Sequence, residues 1–151
     1  GTQPPVGVPF TIPVEAGPVA VQTDRALALS TVLLGGSVIG ALVSIAPDGR
    51  GHGTHEQLGM APCGWPAAYG MPCPTCGCTT AACQLVHGDV IGAFVTQPFG
   101  AALALAGVLL TVHAFACLVR RRSFADLAVR LPLGRVLVSG LVLLLAAWGY
   151  K

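Results

Sequence analysis

Apolar residues in this chain run in long unbroken blocks rather than alternating with polar ones. From Ala26 to Pro47, between Arg25 and Asp48, no residue is charged, and most are Leu, Val, Ala, Ile or Gly. About 20 residues rising about 1.5 Å each cross the roughly 30 Å hydrocarbon layer of a bilayer, so this block predicts a first transmembrane helix over 26–47. Within it the spacing of Gly36 and Gly40 predicts a smooth face that another helix can approach closely. A second block carries no charge from Val90 to Val119 and is divided by Pro98. Proline suits the first turn of a helix, where its missing N–H is not needed, which predicts a second span over 98–119. A third apolar run, Val136 to Tyr150, is short. Starting it at Leu131, with Arg135 snorkelling to the interface, gives a span over 131–150, and Trp148 and Tyr150 suit an interfacial belt.

The remainder is polar or broken. Residues 1–25 contain Pro4, Pro5, Pro9, Pro13 and Pro18, a density that excludes helix, with Val6, Val8, Phe10, Ile12 and Val14 between them. That pattern predicts either a disordered tail or, as the apolar residues favour, an extended N-terminal arm laid across a partner. No charged, apolar and cleavable leader pattern is legible at Gly1. Residues 48–89 form the polar segment, its first half broken by Pro62, Pro66, Pro72 and Pro74. Its second half predicts a short interfacial helix from Thr79 to Val86, capped by Thr79 or Thr80, with Ala81, Ala82, Leu85 and Val86 as the apolar stripe. Asp89, after Gly88, is placed to cap the next helical piece. The predicted organisation is an arm over 1–25 and one membrane domain over 26–151.

Composition names the solvent. Hydrophobic residues make up 54% and charged residues 9% of the chain, and the mean hydropathy is +0.75. So few charges cannot cover a water-facing surface, and the predicted class is an all-α integral membrane protein. A net charge of +2 with no basic, aromatic-interleaved patch excludes a nucleic-acid partner. Between the second and third spans stand Arg120, Arg121, Arg122, Arg130 and Arg135 against Asp126, whereas the segment 48–89 holds Arg50 alone. The arginine loop is therefore expected in the cytoplasm and the polar segment on the periplasmic or external side, where disulfides persist.

Five of the six cysteines lie between Cys63 and Cys83, and Cys73 and Cys76 form a C-x-x-C pair ringed by proline. Three readings stand side by side. Cys63, Cys73, Cys76 and Cys83 are candidates for disulfides that pin an external loop with little core of its own. Alternatively His52 and His55, at similar spacing, join Cys73 and Cys76 as a tetrahedral zinc set with Cys63 as a competing ligand. In the third, Cys73 and Cys76 are a redox pair activated by a following helix N-terminus. Haem attachment is excluded because Gly77, not His, follows Cys76. His113 within the second span is a candidate for a hydrogen bond to a neighbouring helix, and Cys117 for a packing residue. No Ser/His/Asp set, phosphate loop or paired-carboxylate pattern is present.

The run Gly70-Met-Pro-Cys73-Pro-Thr-Cys76-Gly-Cys78-Thr79-Thr-Ala81, then Leu85-Val-His-Gly88-Asp89, Ala93 and Pro98, resembles the bacterial domain-of-unknown-function family 2752. Members are small membrane proteins with Cys-Pro-x-Cys-Gly-x-Thr-x-Ala followed by Gly-Asp and Asn-Pro. The resemblance spans roughly residues 58 to 110 and includes Cys63. This chain has Thr80 where Arg is common and Gln97 where Asn is common, and adds Cys78 and Cys83. The resemblance implies a bacterial inner-membrane protein with a cysteine knuckle and no assigned reaction. Three thin helices rich in small residues bury little among themselves, so the expected role is a non-catalytic accessory or scaffolding subunit among other membrane protein subunits. The alternative is a membrane thiol–disulfide oxidoreductase using Cys73 and Cys76.

Overall fold

The first long helix, α1, runs Pro18–Val43 in the computed structural model, which describes residues 18–150; every regular element among these is helical. The extended arm predicted over 1–25 is therefore corrected at its end: residues 18–25 are helical, and 1–17 lie outside the described residues. Between Pro18 and Pro47 no proline interrupts the helix. At the other end the Ser44 hydroxyl turns back to donate to Ala41 O at 2.7 Å. The helix thus stops at Val43, ahead of the restriction that Pro47 imposes on the residue before it.

After a 3₁₀ turn at Thr54–Leu58 come four helices: α2 at Trp65–Tyr69, α3 at Cys78–Val86, α4 at Val90–Thr96 and α5 at Pro98–Arg120. The chain ends with α6 at Ala125–Arg130 and α7 at Leu133–Tyr150. Among the described residues three stretches are long and apolar enough to cross a membrane, Ala20–Val43, Pro98–Arg120 and Leu133–Tyr150. The protein is a multi-pass membrane protein with the three spans the hydropathy predicts.

α1 packs on α5 most closely where a Cβ at Gly35 would run into the Thr111 hydroxyl, and Ala28 and Leu42, a heptad to either side on α1, are buried. In lipid such contacts rest on close van der Waals fit, since hydrocarbon competes for apolar surface as well as another helix does. The close approach falls on Gly35; Gly36 and Gly40, the pair singled out by spacing, face open space. The polar segment packs on the far end of this pair through Ala81, Ala93 and Ala101, one alanine each from α3, α4 and α5, with Leu85 beside them.

α3 begins one residue before its predicted start, and its cap is corrected. The N-cap is Gly77 in the left-handed region at φ 86°, with no side-chain cap. Thr80 is instead buried and shares a 2.7 Å hydrogen bond with Thr54 Oγ1, tying the 3₁₀ turn to α3. Asp89 caps α4 as expected, its Oδ1 accepting from Gly92 N at 2.8 Å.

The two ends of the molecule differ chemically. At one, Asp24 on α1 accepts from the Ser123 hydroxyl and from the N–H groups of Phe124 and Ala125 at 2.7–3.2 Å, next to the arginine turn. At the other, the Cys83 thiol on α3 donates towards Leu42 O and Ile45 O at 3.4 and 3.5 Å. The 23 residues of α5 separate them by about 34 Å.

Gly100 on α5 meets the backbone of α3 directly: a Cβ there would stand 2.6 Å from Cys78 Cα. Gly100→Ala is expected to destabilise the fold by about 1–3 kcal/mol, as overpacking does. Gly36→Ala should leave the thermal unfolding midpoint in detergent within error of the wild type.

Candidate functional site

The cysteine segment folds as two linked turns. Cys76 N–H donates to Cys73 O at 3.0 Å and Cys78 N–H to Thr75 O at 3.1 Å, with Pro74 pre-setting the second position of the first turn. A hydrogen bond of this kind closes the ends of a four-residue turn to within about 7 Å between Cα atoms, which overlaps the separation a disulfide spans. Gly77 then takes the left-handed conformation that releases the chain into α3.

What fixes the turns comes from distant elements. Gln97, fully buried, sits in extended backbone between α4 and α5. Its Nε2 donates to Pro74 O at 3.1 Å and to Cys76 O at 3.5 Å, while its Oε1 is buried without a partner. From α7, Trp148 Nε1 donates to Pro72 O at 3.0 Å. Neither role was legible in the sequence. The nearest signal was Gln97 standing before Pro98, which marks a helix start but not what the side chain grips.

The turns form one wall of an open cavity of about 890 Å³, lined by Cys63, Cys73 and Cys76 together with His52 and His55. The predicted residues thus meet in one place, with one exception. Cys83 is buried on α3 against Leu42, Ile45 and His87, and burial pushes its thiol pKa up. His55 Nε2 is engaged with Ala61 O at 3.2 Å. Among the described residues no group of three or more His, Cys, Asp or Glu side chains is gathered so as to hold a metal ion. His52, His55, Cys63, Cys73 and Cys76 share the cavity without closing into a ligand set. Arg50 braces the rim, bonded to Asp48 at 2.7 Å and Glu56 at 3.5 Å. Its hydrogen bonds draw the Asp48 carboxyl down to about 2.

Cys73 is the thiol this setting acidifies. Burial, the strongest single influence, opposes its charge. The Thr75 hydroxyl, 3.6 Å from the sulfur, outweighs that opposition together with the thiols of Cys63 and Cys76 and the Thr75 N–H, and the pKa falls below the ordinary thiol value. Far from this site, His113 on α5 pairs with Cys117 Sγ at 3.5 Å within its own helix and packs its ring on Phe124. The hydrogen bond anticipated for His113 across helices is instead within α5.

Residues 63–111 match the family described as protein of unknown function, DUF2752. This segment is similar to the DUF2752 family. It covers α2, the cysteine turns, α3, α4 and most of α5, so the part that matches holds both the sulfurs and the Gln97 that grips them. No curated protein and no solved structure matches the chain.

A lowered pKa means that the Cys73 thiolate is populated at lower pH than an ordinary thiol, and a raised one means the reverse for Cys83. Alkylation of the reduced protein by iodoacetamide, followed residue by residue by mass spectrometry, should therefore label Cys73 at lower pH than Cys83. Thr75→Ala, which removes the hydroxyl and keeps the N–H, should move the Cys73 profile to higher pH.

Proposed function

We propose that this chain is a membrane-embedded thiol–disulfide centre in which Cys73 and Cys76 pass between dithiol and disulfide on the external face of a bacterial inner membrane. The observation that carries the reading is a division of labour in the turns. Their peptide carbonyls are held by Gln97 and Trp148, while the sulfurs of Cys63, Cys73 and Cys76 line an open cavity. A purely structural cysteine knuckle needs its sulfur links to hold the backbone; here side chains from α5's start and from α7 hold it.

The chemistry is thiol exchange. The Cys73 thiolate attacks a disulfide of a second protein, displacing one of its sulfurs as thiolate and leaving a mixed disulfide. The Cys76 thiolate then attacks the Cys73 sulfur, forming the internal disulfide and releasing the partner's second thiolate. The chain loses two electrons and two protons, and the partner's disulfide gains them. The turns sit directly before the N-terminus of α3, whose partial positive charge favours a thiolate. Placement on the external face draws on Arg120, Arg121 and Arg122 at the opposite end of α5, the end expected in the cytoplasm.

A second reading, the accessory or scaffolding subunit of a larger membrane complex, draws on α7, where Ala147 is the one buried residue. That exposed face suits either lipid or a neighbouring subunit.

With Cys73→Ser, reaction of the reduced protein with oxidised glutathione should slow by at least about tenfold, and with Cys76→Ser a mixed disulfide should accumulate on Cys73. Both variants should keep the wild-type unfolding midpoint. If either loses as much stability as Gln97→Leu, which removes the amide donating to Pro74 O and Cys76 O at a cost of about 1–3 kcal/mol, the cysteines are structural and the redox reading fails.

A further inference from the structure

At the end of the molecule opposite the sulfurs, a cavity of about 590 Å³ lies between the start of α1 and the end of α5. Its walls are of two kinds. Arg25, Arg121 and Arg122 supply one, and Val21, Ala28 and Leu118 another. The single carboxylate in the lining, Asp24, already accepts from the Ser123 hydroxyl and the N–H groups of Phe124 and Ala125. Among the described residues the ion pairs are those of Arg50 and Arg130, and no described carboxylate forms an ion pair with Arg25, Arg121 or Arg122.

The backbone puts them in place. α5 ends on Arg121 in the left-handed region at φ 53°, and the N–H groups of Arg121 and Arg122 both return to Cys117 O. The chain folds back at once, so the arginines border α1 rather than trailing away from the helix end. α1 and α5 are both spans, and the apolar wall they share continues into the hydrocarbon layer.

We infer that this cavity binds the headgroup of an anionic phospholipid, its phosphate held by the guanidinium groups of Arg121, Arg122 and Arg25 and its acyl chains lying along Val21, Ala28 and Leu118. Guanidinium forks match phosphate oxygens two at a time. Basic pockets between spans at the cytoplasmic boundary suit anionic headgroups in this way. A soluble phosphate would satisfy the arginines alone; a phosphate ester with acyl chains satisfies both walls. The inference does not depend on the thiol chemistry at the other end.

The test is the thermal unfolding midpoint of the full chain in a neutral detergent, titrated with dioctanoyl phosphatidylglycerol, dioctanoyl phosphatidylcholine or inorganic phosphate. Phosphatidylglycerol is expected to raise the midpoint saturably, by about 3 °C or more, with little effect from the other two. Arg121→Gly, in which glycine keeps the left-handed turn while the guanidinium is lost, and Arg122→Gln should each abolish most of that shift. Arg135→Gln, on α7 and away from the cavity, should keep it. An equal response to phosphatidylcholine, or an undiminished shift in Arg121→Gly and Arg122→Gln, overturns the site. A shift of the same size from inorganic phosphate alone overturns the lipid and leaves a soluble-anion site.

Discussion

At the cysteine turns one buried amide, that of Gln97, donates to two peptide carbonyls, Pro74 O and Cys76 O. A carbonyl buried with no donor costs on the order of 1–3 kcal/mol. The cysteine turns therefore stay where Gln97 reaches them, at the corner between α4 and α5. The rest of the site follows from that position. Cys78 lies against Gly100, where only a residue without Cβ fits. α3 then packs by alanines on α4 and α5, and Trp148 closes the turn from the third span. With the backbone held on two sides, the thiols are left on the open cavity.

The same economy of small residues runs through the membrane part. α1 and α5 meet where Gly35 admits Thr111, and Ala28 and Leu42 are buried towards either end of α1. This pair acts as a rod with sulfurs at one end and arginines at the other. The Asp24 carboxylate fastens the arginine end by capping the backbone entering α6. α7 is held at its far end by Trp148 and otherwise presents Leu137, Val138 and Val142 outward, as a span does when lipid or another subunit is its solvent.

Much of this was legible in the sequence because the bilayer imposes a length and a hydropathy that no other environment demands. The spans over 98–119 and 131–150 fall within a few residues of α5 and α7, and prolines mark where they start. The helix over 18–25 was not legible because proline density over 1–25 outweighed the absence of any proline from 19 to 46. The glycine pair at 36 and 40 misled because spacing shows that a smooth stripe exists but not which way it is turned. The gathering of Cys63, Cys73 and Cys76 was legible from their proximity in the chain. The grip on them was not, since Gln97 and Trp148 act on residues 23 and 76 positions away and no local pattern reports such contacts. Thr80 shows the same limit: a plausible local cap was claimed instead by Thr54, 26 positions back.

The central claim, that side chains rather than sulfur links hold the cysteine turns, is tested most directly by hydrogen exchange at the Cys76 and Cys78 amides, which donate within the turns. Exchange is compared between fully reduced protein and protein oxidised at Cys73 and Cys76. Protection of both amides should be similar in the two states. Loss of protection on reduction, to the rate of an open loop, would show that the sulfurs themselves carry the structure and would contradict the claim.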